Sequence, residues 1–277
     1  MPRFTTTDGL SLHYTDEGEG RAVLCLAGLT RNGTDFSYLA PHLPGVRLIR
    51  MDYRGRGQSE YAHDPMTYNI LREGEDAIEL LDHLGLDKAT IIGTSRGGLI
   101  SMALSVTHPD RLQAVVLNDI GPVVDAAGLE RIMDYVGKTS PFPDLDAAAQ
   151  ALASGHAHDF PGVPVSRWRE QAGFMWEDAP DAGLVLRYDP KLRDALIGQA
   201  GVGEAPNLWD LFNGLKNIPV AAIRGANSDL LTAETLETMQ DRHPGLIAAT
   251  VPDRGHVPFL DEKEALQAIH SLLEQSA

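Results

Sequence analysis

The hexapeptide Gly93-Thr94-Ser95-Arg96-Gly97-Gly98 joins a short apolar run, Ala89 to Thr94 (ATIIGT), directly to a helix-like stretch from Arg96 to His108. That helix must stop at His108, because Pro109 lacks an N–H and disfavours helical geometry in the residue before it. The G-x-S-x-G pattern therefore falls where a buried strand turns abruptly into a helix. A turn this tight lifts the serine above the sheet in a strained backbone conformation, and glycines two residues to either side let strand and helix approach without side-chain clashes. The positive end of the new helix stabilises negative charge that develops there.

Around this turn the chain alternates strand-like and helix-like segments up to about Gly121. That pattern predicts an α/β architecture, a mostly parallel central sheet flanked by helices. Buried strands are predicted at Ala22 to Ala27, Val46 to Met51, Ala89 to Thr94 and Ala114 to Asn118, preceded by an alternating Ser11 to Thr15 segment suited to an antiparallel edge. Ile70, Ala77, Ile78, Leu81 and Leu84 recur at helical spacing, and Gly85 follows where a left-handed cap is favoured. From about Pro122 to Asn217 the segments turn helix-like, broken by Pro and Gly, with no convincing strand. This stretch, 122–217, is expected to be a helical cap inserted into a core of 1–121 and 218–277. It holds all three tryptophans, Trp168, Trp176 and Trp209, together with Tyr135, Phe142, Phe160, Phe174, Tyr188 and Phe212, which are read mainly as packing the cap onto the sheet, with the remainder lining a binding pocket. The strand pattern resumes at Pro219 to Arg224 and Ile247 to Val251, and a last helix starts near Asp261, with Asp261 and Glu264 spaced as a capping pair.

A serine hydroxyl is a poor nucleophile at neutral pH and needs a base held by a carboxylate. Of ten histidines, His256 in PDRGHVP is preferred, since its turn follows the last strand and reaches the carboxyl end of the sheet. Asp229, beyond the strand Pro219 to Arg224, completes the order serine, aspartate, histidine and is assigned as the acid. Asp119, just past Asn118, competes for the role and is read as a structural hydrogen-bond acceptor. His156, His158 and Asp159 in GHAHDF superficially suggest a metal site, but no further ligand cluster accompanies them, and an exposed polar loop is expected.

Together with the serine turn, Asp52-Tyr53-Arg54-Gly55-Arg56-Gly57-Gln58-Ser59 resembles the D-x-R-G-x-G-x-S loop of the α/β-hydrolase superfamily, and Gly255-His256 resembles its catalytic-histidine turn. The resemblance covers essentially the whole chain, including a cap inserted after the sixth strand. It implies an oxyanion hole made by the N–H groups of Leu29 and Arg96, with Ala27 standing where many relatives carry histidine. Arg96 also departs from the family pattern, and a partly buried ion pair with an internal carboxylate is expected for it, with direct recognition of an anionic substrate as the alternative.

The formal charge of −16 disfavours phosphate backbones and anionic lipid as partners. No apolar run approaches the ~20 residues that span a bilayer. A single cysteine, Cys25, excludes an intramolecular disulfide and suits a reducing compartment, so a cytoplasmic protein is expected. No cofactor or metal is expected, the partner is a small-molecule ester, and homo-oligomerisation is left open. With Ser rather than Asp at the nucleophile position, the resemblance implies a carboxylesterase. Carbon–carbon hydrolysis of a diketone-like ring-cleavage product, lactone hydrolysis, perhydrolysis and a non-enzymatic small-molecule receptor stand as alternatives.

Overall fold

A computed structural model describes residues 2–179, 183–199 and 207–276. The elements of the first part are β1 (Arg3–Thr5), β2 (Ser11–Glu17), β3 (Arg21–Leu26), β4 (Val46–Met51), α1 (Ile70–His83), β5 (Ala89–Thr94), α2 (Arg96–Thr107) and β6 (Leu112–Asn118). Then come α3 (Ala126–Tyr135), α4 (Leu145–Gly155), α5 (Val165–Met175), β7 (Trp176–Ala179), β8 (Gly183–Leu186), α6 (Leu192–Gln199) and α7 (Trp209–Asn213). The chain ends with β9 (Val220–Gly225), α8 (Ala233–Arg242), β10 (Ile247–Val251) and α9 (Lys263–Gln275).

Eight strands form one sheet in the order β1-β2-β4-β3-β5-β6-β9-β10. It is parallel from β4 to β10, while β2 runs antiparallel to β4 and β1 antiparallel to β2. The predicted Ser11 strand is thus internal, and Arg3–Thr5 is the edge; three residues of alternating exposure are too short a run to register as a period in the sequence. At the centre, every residue of β5 is buried, as a strand covered by helices on both faces requires. α1 is capped by Asn69, whose side chain accepts from Arg72 N, and Gly85 beyond its end adopts a φ of +66°.

Between β6 and β9 the described residues are mainly helical, with one exception to the expectation. Trp176–Ala179 and Gly183–Leu186 pair as an antiparallel hairpin. WEDA carries no run of β-branched residues, and the strands form because Trp176 and Leu184 close over Ala148 and Ala172 of the α4–α5 pair. Residues 180–182 and 200–206 of the predicted insertion lie outside the described residues. The predicted capping pair is also absent: Glu262 precedes α9, Asp261 binds Arg167 at 2.7 Å, and Glu262 instead accepts from the N–H groups of Phe259 and Leu260.

Two features fix the turn at Ser95. The first is close approach. A Cβ at Gly97 would lie 2.0 Å from the Leu26 carbonyl oxygen, and one at Gly93 2.5 Å from the Gly97 carbonyl. The second is a buried charge cluster beneath the turn. Glu73 on α1 is fully buried and accepts from Arg96 Nε at 2.5 Å and from Arg56 Nη1 at 2.8 Å. Burial alone would raise the Glu73 pKa, but the two guanidinium groups outweigh it and hold the carboxyl below its ordinary value of 4.5. Arg56 also donates through Nε to Leu29 O (3.0 Å), so the same cluster braces the loop after β3.

Three substitutions test this packing. Gly97→Ala is expected to lose about 2 kcal/mol or more of stability in denaturant titration, because the obstacle is backbone and cannot rotate away. Gly173→Ala, in an open position on α5, should lose nothing and gain about 0.5 to 1 kcal/mol. Glu73→Gln should cost about 3–5 kcal/mol at neutral pH by leaving buried arginines uncompensated. Because the folded pKa lies below the unfolded one, Glu73 stabilises fully above pH 4.5 and loses that effect as pH falls through the folded value. The stability gap between wild type and Glu73→Gln should therefore narrow on acidification.

Candidate active site

Ser95 caps α2 with φ 50° and ψ −110°, a left-handed conformation that a non-glycine residue holds only under constraint. The constraint is visible: Ser95 N donates to Asn118 O at 2.9 Å, extending the β5–β6 ladder by one residue into the turn. Its Oγ lies 3.0 Å from His256 Nε2. His256 is carried by the loop that leaves β10, and that loop is tied to the sheet by Asn118, whose Nδ2 donates to Pro258 O and to Thr94 Oγ1.

The carboxylate facing His256 is Asp119, not Asp229. Asp119 Oδ2 lies 2.8 Å from His256 Nδ1. An ionised carboxylate only accepts hydrogen bonds, so this contact assigns the proton to Nδ1 and leaves Nε2 free to accept the serine proton. The Asp119 side chain is fully buried, with Oδ1 accepting from Gly225 N (2.7 Å) and Oδ2 also accepting from Ser228 Oγ (2.6 Å). Asp229 turns the other way. Its Oδ2 lies 3.1 Å from Arg131 Nη2 on α3, and Arg131 also reaches Asp159 at 3.3 Å.

The physical reason lies in the strand ends. β6 is the immediate neighbour of β5, so a residue one step past its end stands beside the serine turn. Asp119 adopts φ 56° there and its N–H bonds Ile223 O at 2.7 Å, which turns the side chain toward the His256 loop. Asp229 is four residues past β9, beyond the turn closed by Ser228 N and Gly225 O, and points up toward the α3 segment. Ser228, which sequence reasoning passed over, occupies the position next to the carboxylate in that turn.

Of the two residues expected to hold an oxyanion, Arg96 follows Ser95 directly and Leu29 lines the same cavity as Ser95. Arg96 is the first residue of α2, so its N–H has no intrahelical acceptor, and its side chain points away into the Glu73 cluster. Leu29 is in a loop whose carbonyls are taken up by Arg56 at Leu29 O and by Gly97 N and Tyr53 Oη at Ala27 O. These bonds hold the loop in place with Ala27 at that position. The loop Asp52–Ser59 backs this arrangement: Asp52 accepts from Gly33 N, Gln58 N and His13 Nδ1, each at 2.8–2.9 Å.

Ser95 and His256 open into a cavity of about 720 Å³ between the sheet and the α3–β8 segment. Five aromatic residues of that segment, Tyr135, Phe142, Phe160, Trp168 and Trp176, line it together with Tyr188 just past β8, whereas Trp209 and Phe212 pack against each other outside its lining. The expectation that these rings mainly pack the insertion onto the sheet thus applies to the last pair, while most of the others wall the cavity. The GHAHDF loop also divides. His158 is solvent-exposed and bonds Asp159, but His156 enters the cavity, so the loop is not uniformly the exposed turn expected of it. Cys25 is buried in β3, and burial pushes its thiol pKa up, away from reactivity.

A family model described as the alpha/beta hydrolase fold matches residues 21–263. The chain superposes on the crystal structure of an alpha/beta hydrolase from Novosphingobium aromaticivorans with a TM-score of 0.91 and 40% identity, over 99% of this chain and 97% of that one. It is 34% identical over 260 residues to a 3-hydroxybutyrate-oligomer hydrolase of Cupriavidus necator, covering 90% of this chain and 87% of the relative. It is 26% identical over 270 residues to a 2-(acetamidomethylene)succinate hydrolase of Mesorhizobium japonicum, covering 96% and 92%. A strained serine on a strand-to-helix turn, a histidine from the loop after the last strand and this whole-chain agreement lead to one conclusion: the chain belongs to the α/β-hydrolase family and is a hydrolase.

Proposed function

We propose that the protein is a serine hydrolase that cleaves carboxylic esters through an acyl-enzyme, with Ser95 as nucleophile, His256 as general base and acid, and Asp119 as the residue that orients the base. The observation that carries this reading is the unbroken hydrogen-bonded line from Ser95 Oγ through His256 to the buried Asp119. Ser95 Oγ attacks the ester carbonyl carbon as His256 Nε2 takes its proton. The carbonyl oxygen becomes an oxyanion held by the N–H groups of Leu29 and Arg96, aided by the positive end of α2. Collapse breaks the bond to the alkoxy oxygen, which leaves with the proton from His256. Water, deprotonated by the same imidazole, then attacks the acyl-enzyme and releases the carboxylic acid.

Ester substrates are preferred to carbon–carbon ones on two grounds. The cavity is walled largely by aromatic and aliphatic side chains, which suits a neutral chain on either side of the scissile bond. The Cupriavidus necator relative is named for 3-hydroxybutyrate oligomers, and a hydroxy acid condensed head to tail is joined by ester bonds.

The test is hydrolysis of p-nitrophenyl esters from acetate to longer acyl chains, with Ser95→Ala, His256→Ala, Asp119→Asn and Asp229→Asn compared. Ser95→Ala and His256→Ala should abolish turnover. Asp119→Asn should lower kcat by about 10⁴-fold, since an amide stabilises the wrong imidazole tautomer. Asp229→Asn removes only a partly exposed ion pair and should cost less than about tenfold. The reverse order would return the orienting role to Asp229, and a folded wild type inert toward every ester would overturn the ester reading.

A further inference from the structure

His156 takes no part in the steps above, yet it lines the cavity that holds Ser95. It follows α4 as its cap, with its N–H donating to Leu152 O at 2.9 Å and its carbonyl accepting from Phe160 N at 2.8 Å. The imidazole lies flat on Trp168, with ring centroids 5.0 Å apart and planes 12° from parallel, and meets Phe160 edge-on at 5.7 Å and 89°. Phe160 and Trp168 are themselves buried and perpendicular to each other. Two fixed aromatic walls therefore set the plane of the His156 ring.

The turn that carries this ring is attached to the turn that carries the catalytic base. Asn227 Nδ2 donates to Asp159 O at 3.1 Å. A Cβ on Gly255, the residue before His256, would lie 2.8 Å from Asp159 Cβ and 3.0 Å from Phe160 Cε2. The ring is thus held in register with the His256 turn, in the wall of the cavity onto which Ser95 opens.

What marks His156 out among the described histidines that are not exposed is its lack of a protein partner. His13 bonds Asp52, His243 bonds the carbonyls of Leu215 and Ile218, and His256 bonds Asp119 and Ser95. Among the described residues, no side chain or backbone group hydrogen-bonds either ring nitrogen of His156, and Asp159, Asp229, Arg131 and Arg31 act on it only as nearby charges. Burial is the largest influence and holds its pKa below the ordinary value, which favours the neutral ring, with one N–H donor and one bare acceptor nitrogen. A carboxylate would call for the charged ring that this burial disfavours. An uncharged oxygen matches the neutral one.

We propose that His156 is a specificity-determining residue, whose ring hydrogen-bonds an uncharged oxygen, a hydroxyl or second ester carbonyl, carried by the substrate away from the scissile bond. The assignment rests on the ester-hydrolase reading and adds a preferred substrate class to it, oxygenated esters over plain alkyl esters. A site with a polar group awaiting a partner discriminates against an analogue that lacks it, because that group is then desolvated and left unpaired.

The experiment measures kcat/KM on two matched pairs, ethyl 3-hydroxybutyrate against ethyl butyrate and 3-hydroxybutyl butyrate against butyl butyrate, for the wild type, His156→Phe and His156→Leu. Phe keeps the stack on Trp168 and removes both nitrogens, and Leu provides a second nitrogen-free side chain should Phe not fold. The wild type should favour the hydroxylated member of at least one pair by about three- to tenfold, and both variants should bring that ratio close to one. A wild-type ratio of one in both pairs, or a ratio that survives substitution, overturns the proposal. In parallel, calorimetric binding of the same four esters is compared between Ser95→Ala and Ser95→Ala/His156→Phe. If the wild type hydrolyses no ester, the esterase reading fails, and the binding ratios still decide the role of His156: a preference for the hydroxylated ester that His156→Phe removes supports it, and equal binding refutes it.

Discussion

A single buried carboxylate holds the reacting parts of this molecule in register. Glu73 comes from α1, Arg96 from the residue after the nucleophile and Arg56 from the loop after β4, and the three meet where the side chains of all are almost wholly excluded from water. One anion does not neutralise two cations, and the structure offsets the excess with carbonyl dipoles. Arg96 Nη2 donates to Tyr68 O, and Arg56 donates to Arg54 O and Leu29 O, with its guanidinium over the rings of Tyr53 and Tyr68. Each bond that satisfies a buried donor also fixes a piece of backbone. The loop that carries Leu29 and the first turn of α2 are therefore positioned by the same group, which is why two arginines unusual so near a reaction centre are tolerated there.

The sheet contributes the second constraint. Strand β5 is central and β6 its neighbour, so the residues just past their ends stand side by side at the carboxyl edge, where parallel sheets place their sites. Ser95 and Asp119 occupy these positions, and both adopt left-handed φ angles, 50° and 56°. Conformations of that kind cost about 1–3 kcal/mol each and persist only where the surroundings over-determine them. Here the ladder does so: Ser95 N bonds Asn118 O and Asp119 N bonds Ile223 O, each one residue past the strand.

How much of this was legible follows from the range of the interactions involved. The central strands, the serine turn and His256 were readable because apolar runs, Gly spacing and Pro109 act locally, within a few residues. The choice between Asp119 and Asp229 was not, because the order serine, aspartate, histidine holds for both and only sheet adjacency separates them. The ion pair of Arg96 could be anticipated as a need, but its partner Glu73 lies 23 residues away on a helix whose period shows only its apolar face. The β7–β8 hairpin escaped notice for a similar reason. Its strands owe their form to Trp176 and Leu184 covering the α4–α5 pair rather than to β-propensity.

The two halves of the cavity are consequently built by different physics. On the sheet side, every polar group of the Ser95, His256 and Asp119 line has a named partner, and small displacements are resisted by charge pairs and ladder bonds. On the opposite side, Trp168 meets Phe160 and Phe142 meets Trp176 edge to face, within clusters held by apolar packing rather than by hydrogen bonds. The Ser95 line is thus tied to the hydrogen bonds and charge pairs of the sheet. The opposite wall is tied to ring packing, and His156, held there against Trp168, is the group through which the proposed selectivity would act.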